Sequence, residues 1–308
     1  MKKHFYGLDV LRGLGIFGVI VLHGAFYHYR GVYEIDMTDP GLVVTIIGLL
    51  LMFAGLFAVI SGFVHTYRYI QSQKEGRKGR LAHMLRNGLL LLAIAYFYFL
   101  FTGPGIVDFE TNTMDESLLV SFINQGRFQP LSQERVFYVD SLVMLSVNVL
   151  LLAGLFKLIS VKILHKHAPK FFLIGATLFM ALSYLRLPLY EVYMDAVAEG
   201  RMGVTLLLNW FVAKNNPILP FFAFALFGAW LALLCERHDF KTVLKRGLPV
   251  SAVYFVVGIA GYVLAPETML ERSIDPTWYF IMVAQIGLFM ALALWAISLF
   301  DFGKKTRR

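Results

Sequence analysis

The stretch Leu8-Asp9-Val10-Leu11-Arg12-Gly13, continued by an apolar run to His23, reads as a bilayer helix carrying three titratable groups, Asp9, Arg12 and His23. Ionisable groups in a spanning helix are costly, so they face a protein interior and mark function. Arg12 and His23 are almost three whole turns apart, which puts them on one face and roughly 16 Å apart along the axis. Asp9 lies one turn before Arg12, close enough to fix the guanidinium by a charge-assisted hydrogen bond. Two readings follow. Either this face lines an active or transport site, or it holds a positioning ion pair at the inner membrane edge and a histidine at the outer interface.

Composition settles the class. Of 308 residues, 58% are hydrophobic and only 16% charged, with a mean hydropathy of +0.67. A water-soluble domain of this length needs far more polar surface, so this is an integral membrane protein. The first apolar stretch holds Asp9 and Arg12 and is followed by no small-residue cleavage site, so no cleaved leader is expected.

Apolar segments at 7–28, 41–68, 81–102, 138–160, 171–190, 217–235, 248–265 and 277–300 each supply the roughly 20 residues that cross a hydrocarbon core. Backbone groups in lipid must be satisfied internally, so the expected fold is an all-α polytopic helical bundle of about eight spans. Basic clusters sit at Lys2-Lys3, Arg68 to Arg80, Lys157 to Lys170, Arg237 to Arg246 and Lys304 to Arg308. The alternate connections carry Glu34, Asp36, Asp39, Asp108, Glu110, Asp115, Glu116, Glu191, Asp195, Glu267, Glu271 and Asp275. The lysine and arginine bias puts both termini on the cytoplasmic side, and the expected setting is the plasma membrane of a prokaryote, with residues 1–308 as a single domain. It also explains the net charge of +8 locally, and nucleic acid is a poor partner for a chain with no basic domain outside the membrane.

Two outer segments, 103–137 with Arg127, Arg135 and Tyr138, and 191–216 with the short apolar run Val204 to Val212, are either a cover over an outer cavity or interfacial loops. The third helix opens with Arg80, His83, Arg86 and Asn87, a polar stripe at helical spacing. It suits an anion, or it snorkels to lipid headgroups. Ser61-Gly62 favours close helix packing, and His65 fits an interface better than catalysis. Cys235, the one cysteine, is a packing residue. No histidine spacing suits a metal, and there is no P-loop, dinucleotide-binding glycine pattern or Gly-x-Ser-x-Gly.

Leu8-Asp9-Val10-Leu11-Arg12-Gly13 with His23, Phe57 to Phe63 around Ile60-Ser61-Gly62, and Asn216-Pro217-Ile218-Leu219-Pro220-Phe221-Phe222 running into Gly228 together resemble the transmembrane acyltransferase superfamily. That group includes the acyltransferase-3 membrane proteins and the heparan-alpha-glucosaminide N-acetyltransferase-like proteins. The resemblance is clear over residues 5–100, patchy over 210–235 and weak elsewhere. Members usually carry ten or eleven spans, more than the segments counted here.

The resemblance implies transfer of an acyl group, acetyl above all, from acyl-coenzyme A to an extracytoplasmic sugar, glycan or lipid headgroup. Imidazole suits the base or nucleophile because its pKa lies near working pH. His23 would serve, with His28 as its rival and Asp9 as the orienter of Arg12. Arg12, Arg86, Asn87, Arg80 and Arg77 would bind the donor's phosphates, and its long pantetheine arm would thread the bundle. No metal is expected, and the partners are the bilayer and a glycan or lipid-linked acceptor, with a homodimer left open. The alternatives are a transporter or flippase-like protein for an anionic or lipid-linked molecule, and a non-catalytic membrane partner.

Overall fold

The computed structural model describes residues 4–27, 53–103, 106–108, 113–136, 140–159, 167–212, 216–265 and 274–302. Among the described residues the regular structure is helical apart from one short antiparallel hairpin. In chain order the elements begin with α1 (Tyr6–Tyr27), α2 (Ala54–Lys74) and α3 (Arg80–Phe101). The hairpin β1 (Ile106–Asp108) and β2 (Thr113–Asp115) follows, then the short α4 (Leu118–Gln125) and α5 (Gln133–Val136). The remainder is α6 (Ser141–Leu158), α7 (Ala168–Leu182), α8 (Arg186–Ala198), α9 (Met202–Val212), α10 (Ile218–Arg237), α11 (Phe240–Leu264) and α12 (Pro276–Ile297).

Among the described residues six helices are long and apolar enough to cross a membrane: α3, α6, α7 joined to α8, α10, α11, and α12 with the turn that follows it. The protein is a polytopic helical bundle. The expectation of eight spans adds α1 and α2, of 22 and 21 residues. The expected beginning of the second span, 41–52, lies outside the described residues.

Two boundaries differ from the sequence expectation, each for a local reason. The span expected at 171–190 continues to Ala198, interrupted by a single 3-10 turn at Ser183–Leu185. Pro188 has no N–H to offer the carbonyl of Tyr184, and the backbone tightens there rather than ending. The span expected at 248 starts at Phe240, so Lys241, Lys245 and Arg246 ride on α11 instead of lying in a loop. Pro249 sits inside this helix. By contrast, Val204 to Val212 forms α9, too short to span, as expected.

The centre of the bundle is α10. It has no charged residue from Ile218 to Leu234, and every residue in that run is buried. A helix apolar on all sides belongs in a core. It packs against α2 and α7, while α11 pairs with α12 and α3 with α6. The α2–α10 contact is backbone on backbone. A Cβ on Gly62 would fall 2.0 Å from the Ala225 carbonyl oxygen, and one on Gly228 would fall 2.0 Å from that of Val59. Helices without side chains at the crossing approach this closely and gain dispersion contact along their lengths.

At one end of the bundle the first and last helices meet. The Asp301 carboxylate accepts from the backbone N–H groups of Tyr6 (2.9 Å) and Gly7 (3.1 Å), supplying acceptors to donors that the first turn of α1 cannot satisfy itself. At the opposite end the hairpin, α4 and α5 are tied to the bundle by fully buried Arg135. Its guanidinium pairs with Asp115 (3.1 Å) and donates to the carbonyl of Phe99 (2.9 Å) in the last turn of α3. Replacing one member of a buried pair strands the other, at a cost of about 3–5 kcal/mol. Arg135→Met is therefore expected to release this segment, read as rapid proteolysis between residues 103 and 137 while the spanning helices stay protected. Equal protection in the variant would contradict the anchoring role.

Candidate functional site

The reversal between α2 and α3 is made by Gly76 and Gly79, both in the left-handed region (φ 65° and 89°), which other residues adopt only with strain. The tight turn sets the end of α2 beside the start of α3 and close to the first turns of α1. Between the three helices lies a cavity of about 740 Å³. α1 contributes Asp9 and Arg12, α2 contributes Arg68, and the turn and α3 contribute Glu75, Arg77, Lys78, Arg80 and His83. Phe5, Leu8, Phe63 and Tyr67 give it an apolar flank.

Charge on this wall is unbalanced. Asp9 accepts from Arg12 at 3.1 Å and pairs with His4, and Glu75 pairs with Arg77. Arg68, Lys78 and Arg80 have no carboxylate partner among the described residues, although Arg68 and Arg80 lie near enough to repel each other. The Arg80 Nε is buried and makes no hydrogen bond among the described residues. Cations gathered around an open volume without counter-charges favour an anion with several oxygens.

Of the residues expected to hold a donor, Arg12, Arg77 and Arg80 share this cavity with Asp9. Arg86 and Asn87 lie outside the lining and instead hold His83, one turn earlier on α3. The Arg86 Nη2 lies 2.9 Å from His83 Nδ1 and the Asn87 carboxamide 3.2 Å from Nε2. A guanidinium only donates, so Nδ1 accepts from Arg86, while the Asn87 amide nitrogen stands at the other ring nitrogen. The pair thus orients a histidine that lines the cavity.

His23 lies on α1 with Asp9 and Arg12, near the far end of the helix. His28 lies outside the described residues. Next to the cavity, the His65 Nδ1 is buried without a hydrogen-bond partner among the described residues. Among the described residues no group of His, Cys, Asp or Glu is arranged to hold a metal.

The sequence reading did not select His4, Glu75 or Lys78. His4 precedes the helix, and only the fold of the first turn brings it onto Asp9. Glu75 and Lys78 flank a glycine turn, which signals a helical hairpin but not a wall. His83 stood on the polar stripe of the third helix and Arg68 in a basic cluster; their convergence depends on how α2 and α3 pack.

No curated protein and no solved structure matches this chain. The family model for the acyltransferase domain of the acyltransferase-3 type matches residues 5–306, nearly the whole sequence and all three helices around the cavity. The chain therefore belongs to the acyltransferase-3 family of membrane acyltransferase domains.

Proposed function

We propose that this protein takes an acyl group, acetyl in the simplest case, from cytoplasmic acyl-coenzyme A and delivers it to a hydroxyl or amine of an extracytoplasmic sugar, glycan or lipid headgroup. The observation that carries the donor half is the cavity wall, with Arg68, Lys78 and Arg80 uncompensated by carboxylates. Those residues, with Arg12 and Arg77, bind the nucleotide phosphates, and Asp9 holds the Arg12 guanidinium in position. In this reading residues 1–308 form one domain of eight spans in a prokaryotic plasma membrane, with the cavity and both termini cytoplasmic. The hydrogen bonds from Tyr6 and Gly7 to Asp301 support an even number of crossings, because they join the two ends of the chain at one end of the bundle.

His23 acts as the base, with His28 as the alternative. It takes the proton from the acceptor hydroxyl or amine as that atom attacks the thioester carbonyl. The carbon–sulfur bond then breaks, and the imidazolium returns its proton to the leaving thiolate. The 3-10 break between α7 and α8 favours a second reading, transport of an anionic or lipid-linked molecule, since interrupted helices mark many transport sites.

Membranes containing the protein, incubated with acetyl-coenzyme A labelled in the acetyl group, test the choice. Label in an extracted glycan or lipid supports transfer. Tight donor binding with no label in any product, even when outer-membrane and cell-wall extracts are supplied as acceptor, overturns it in favour of transport.

A further inference from the structure

Gln285 is a polar residue of the bundle interior that the fold leaves unexplained. It sits on α12, is 3% exposed, and among the described residues neither the nitrogen nor the oxygen of its carboxamide has a hydrogen-bond partner. An amide out of water with both ends unmade is destabilising, and such groups persist where something else completes them. Its direction follows from its neighbours at helical spacing. Trp278, two turns before it, meets the ring of Phe221, and Phe289, one turn after it, meets the rings of Phe224 and Phe53. Gln285 thus lies on the face of α12 turned toward α10 and the start of α2.

Its height in the bundle is fixed by a contact between α1 and α12. A Cβ on Gly7 would stand 2.3 Å from the Ala296 carbonyl oxygen, so these two residues are level on antiparallel neighbours. Counting 1.5 Å per residue away from that level, Arg12 is about 7 Å up, Gln285 about 16 Å and His23 about 24 Å. Gln285 therefore lies between Arg12 and His23, on a helix packed against the one that carries both.

We infer that Gln285 is the mid-membrane binding residue for the pantetheine arm of the donor, pairing its carboxamide with one of the arm's amides. This rests on the donor route proposed above. An arm running from phosphates at the Arg12 level to a thioester at the His23 level must bring its own amides through the apolar interior, where each needs a partner. A glutamine carboxamide offers one donor and one acceptor side by side, the complement of an amide's C=O and N–H. The amide next to the thioester, separated from the sulfur by two methylenes, falls a short way below the reacting carbon, which is the height of Gln285.

Gln285→Leu keeps the side-chain volume and removes the carboxamide. For the purified full-length protein we expect the thermal midpoint to stay level or rise, because an orphaned amide is lost, while KM for acetyl-coenzyme A rises about tenfold. The same variant should leave turnover of a simple alkyl thioacetate, which has no amide, unchanged. An unaltered KM for acetyl-coenzyme A, or equal losses with both thioesters, overturns the assignment. So does a drop in the thermal midpoint with no change in donor preference, which would mark a structural residue. Calorimetry of the unaltered protein separates this from the reading beneath it: if acetyl-coenzyme A does not bind at all, the donor route itself fails and Gln285 loses its ligand with it.

Discussion

Replacing His23 with alanine is expected to lower acyl transfer by roughly 10²–10⁴-fold, the range that loss of a positioned general base produces. Donor affinity should be retained, because the cationic wall proposed to meet the phosphates lies at the opposite end of α1. The fold should survive as well. Asp301, at the other end of α1, satisfies the N–H groups of its first turn, and Phe5 and Leu8 remain buried there. The measurement is acetyl transfer alongside acetyl-coenzyme A binding on the same preparation. Loss of both would mean the variant has misfolded, which size-exclusion chromatography would show. Full transfer with normal binding would move the base to His28, whose own alanine variant would then be the inactive one.

A second large effect is expected where α2 crosses α10. Gly228→Val puts two methyl groups where even a Cβ would lie 2.0 Å from the Val59 carbonyl oxygen. The obstacle is backbone, and it has no rotamer by which to yield. The two helices must separate, opening the contact that holds the central helix. Overpacking of this kind costs about 3 kcal/mol or more. Because Gly62 meets Ala225 in the same way, Gly62→Val should be as damaging and the pair less than additive, since either substitution already parts the helices. Loss of the monodisperse chromatographic peak, or a thermal midpoint lower by several degrees, is the expected readout. A control at Gly154, where a Cβ would meet nothing within 4 Å, should tolerate alanine. Wild-type stability of Gly228→Val would contradict the crossing.

The helices were legible in the sequence because lipid leaves the chain few options: long apolar runs must be helices, and lysine and arginine mark their ends. The ends themselves were harder. Hydropathy stops a span at its first cations, yet Lys241, Lys245 and Arg246 continue on α11, because long basic side chains can leave the helix while its backbone goes on. The sequence reading passed over Pro188, before which the helix tightens into a 3-10 turn and goes on. The hairpin Ile106–Asp108 with Thr113–Asp115 had no strong alternation to announce it.

The candidate site shows the same division. Asp9 and Arg12 were readable as a pair, since one helical turn separates them. The cavity required three helices to meet, and only their packing shows that Arg77 and Arg80 stand on its wall while Arg86 and Asn87 instead orient His83. The sequence reading did not select Gln285, although it is an amide within the apolar run 277–300. Its meaning depends on the level of Gly7 against Ala296, a tertiary fact with no local signature.

Isothermal titration of the purified protein with acetyl-coenzyme A tests the donor site most directly. Micromolar binding that weakens with added salt is expected, because phosphates on arginine and lysine are screened by ions. The Arg12→Ala/Arg80→Ala double variant should lose it, whereas Arg86→Ala, altered outside the cavity wall, should retain most of it. Absence of binding up to millimolar acetyl-coenzyme A, or unchanged affinity in the double variant, would contradict the assignment of this cavity to the acyl donor.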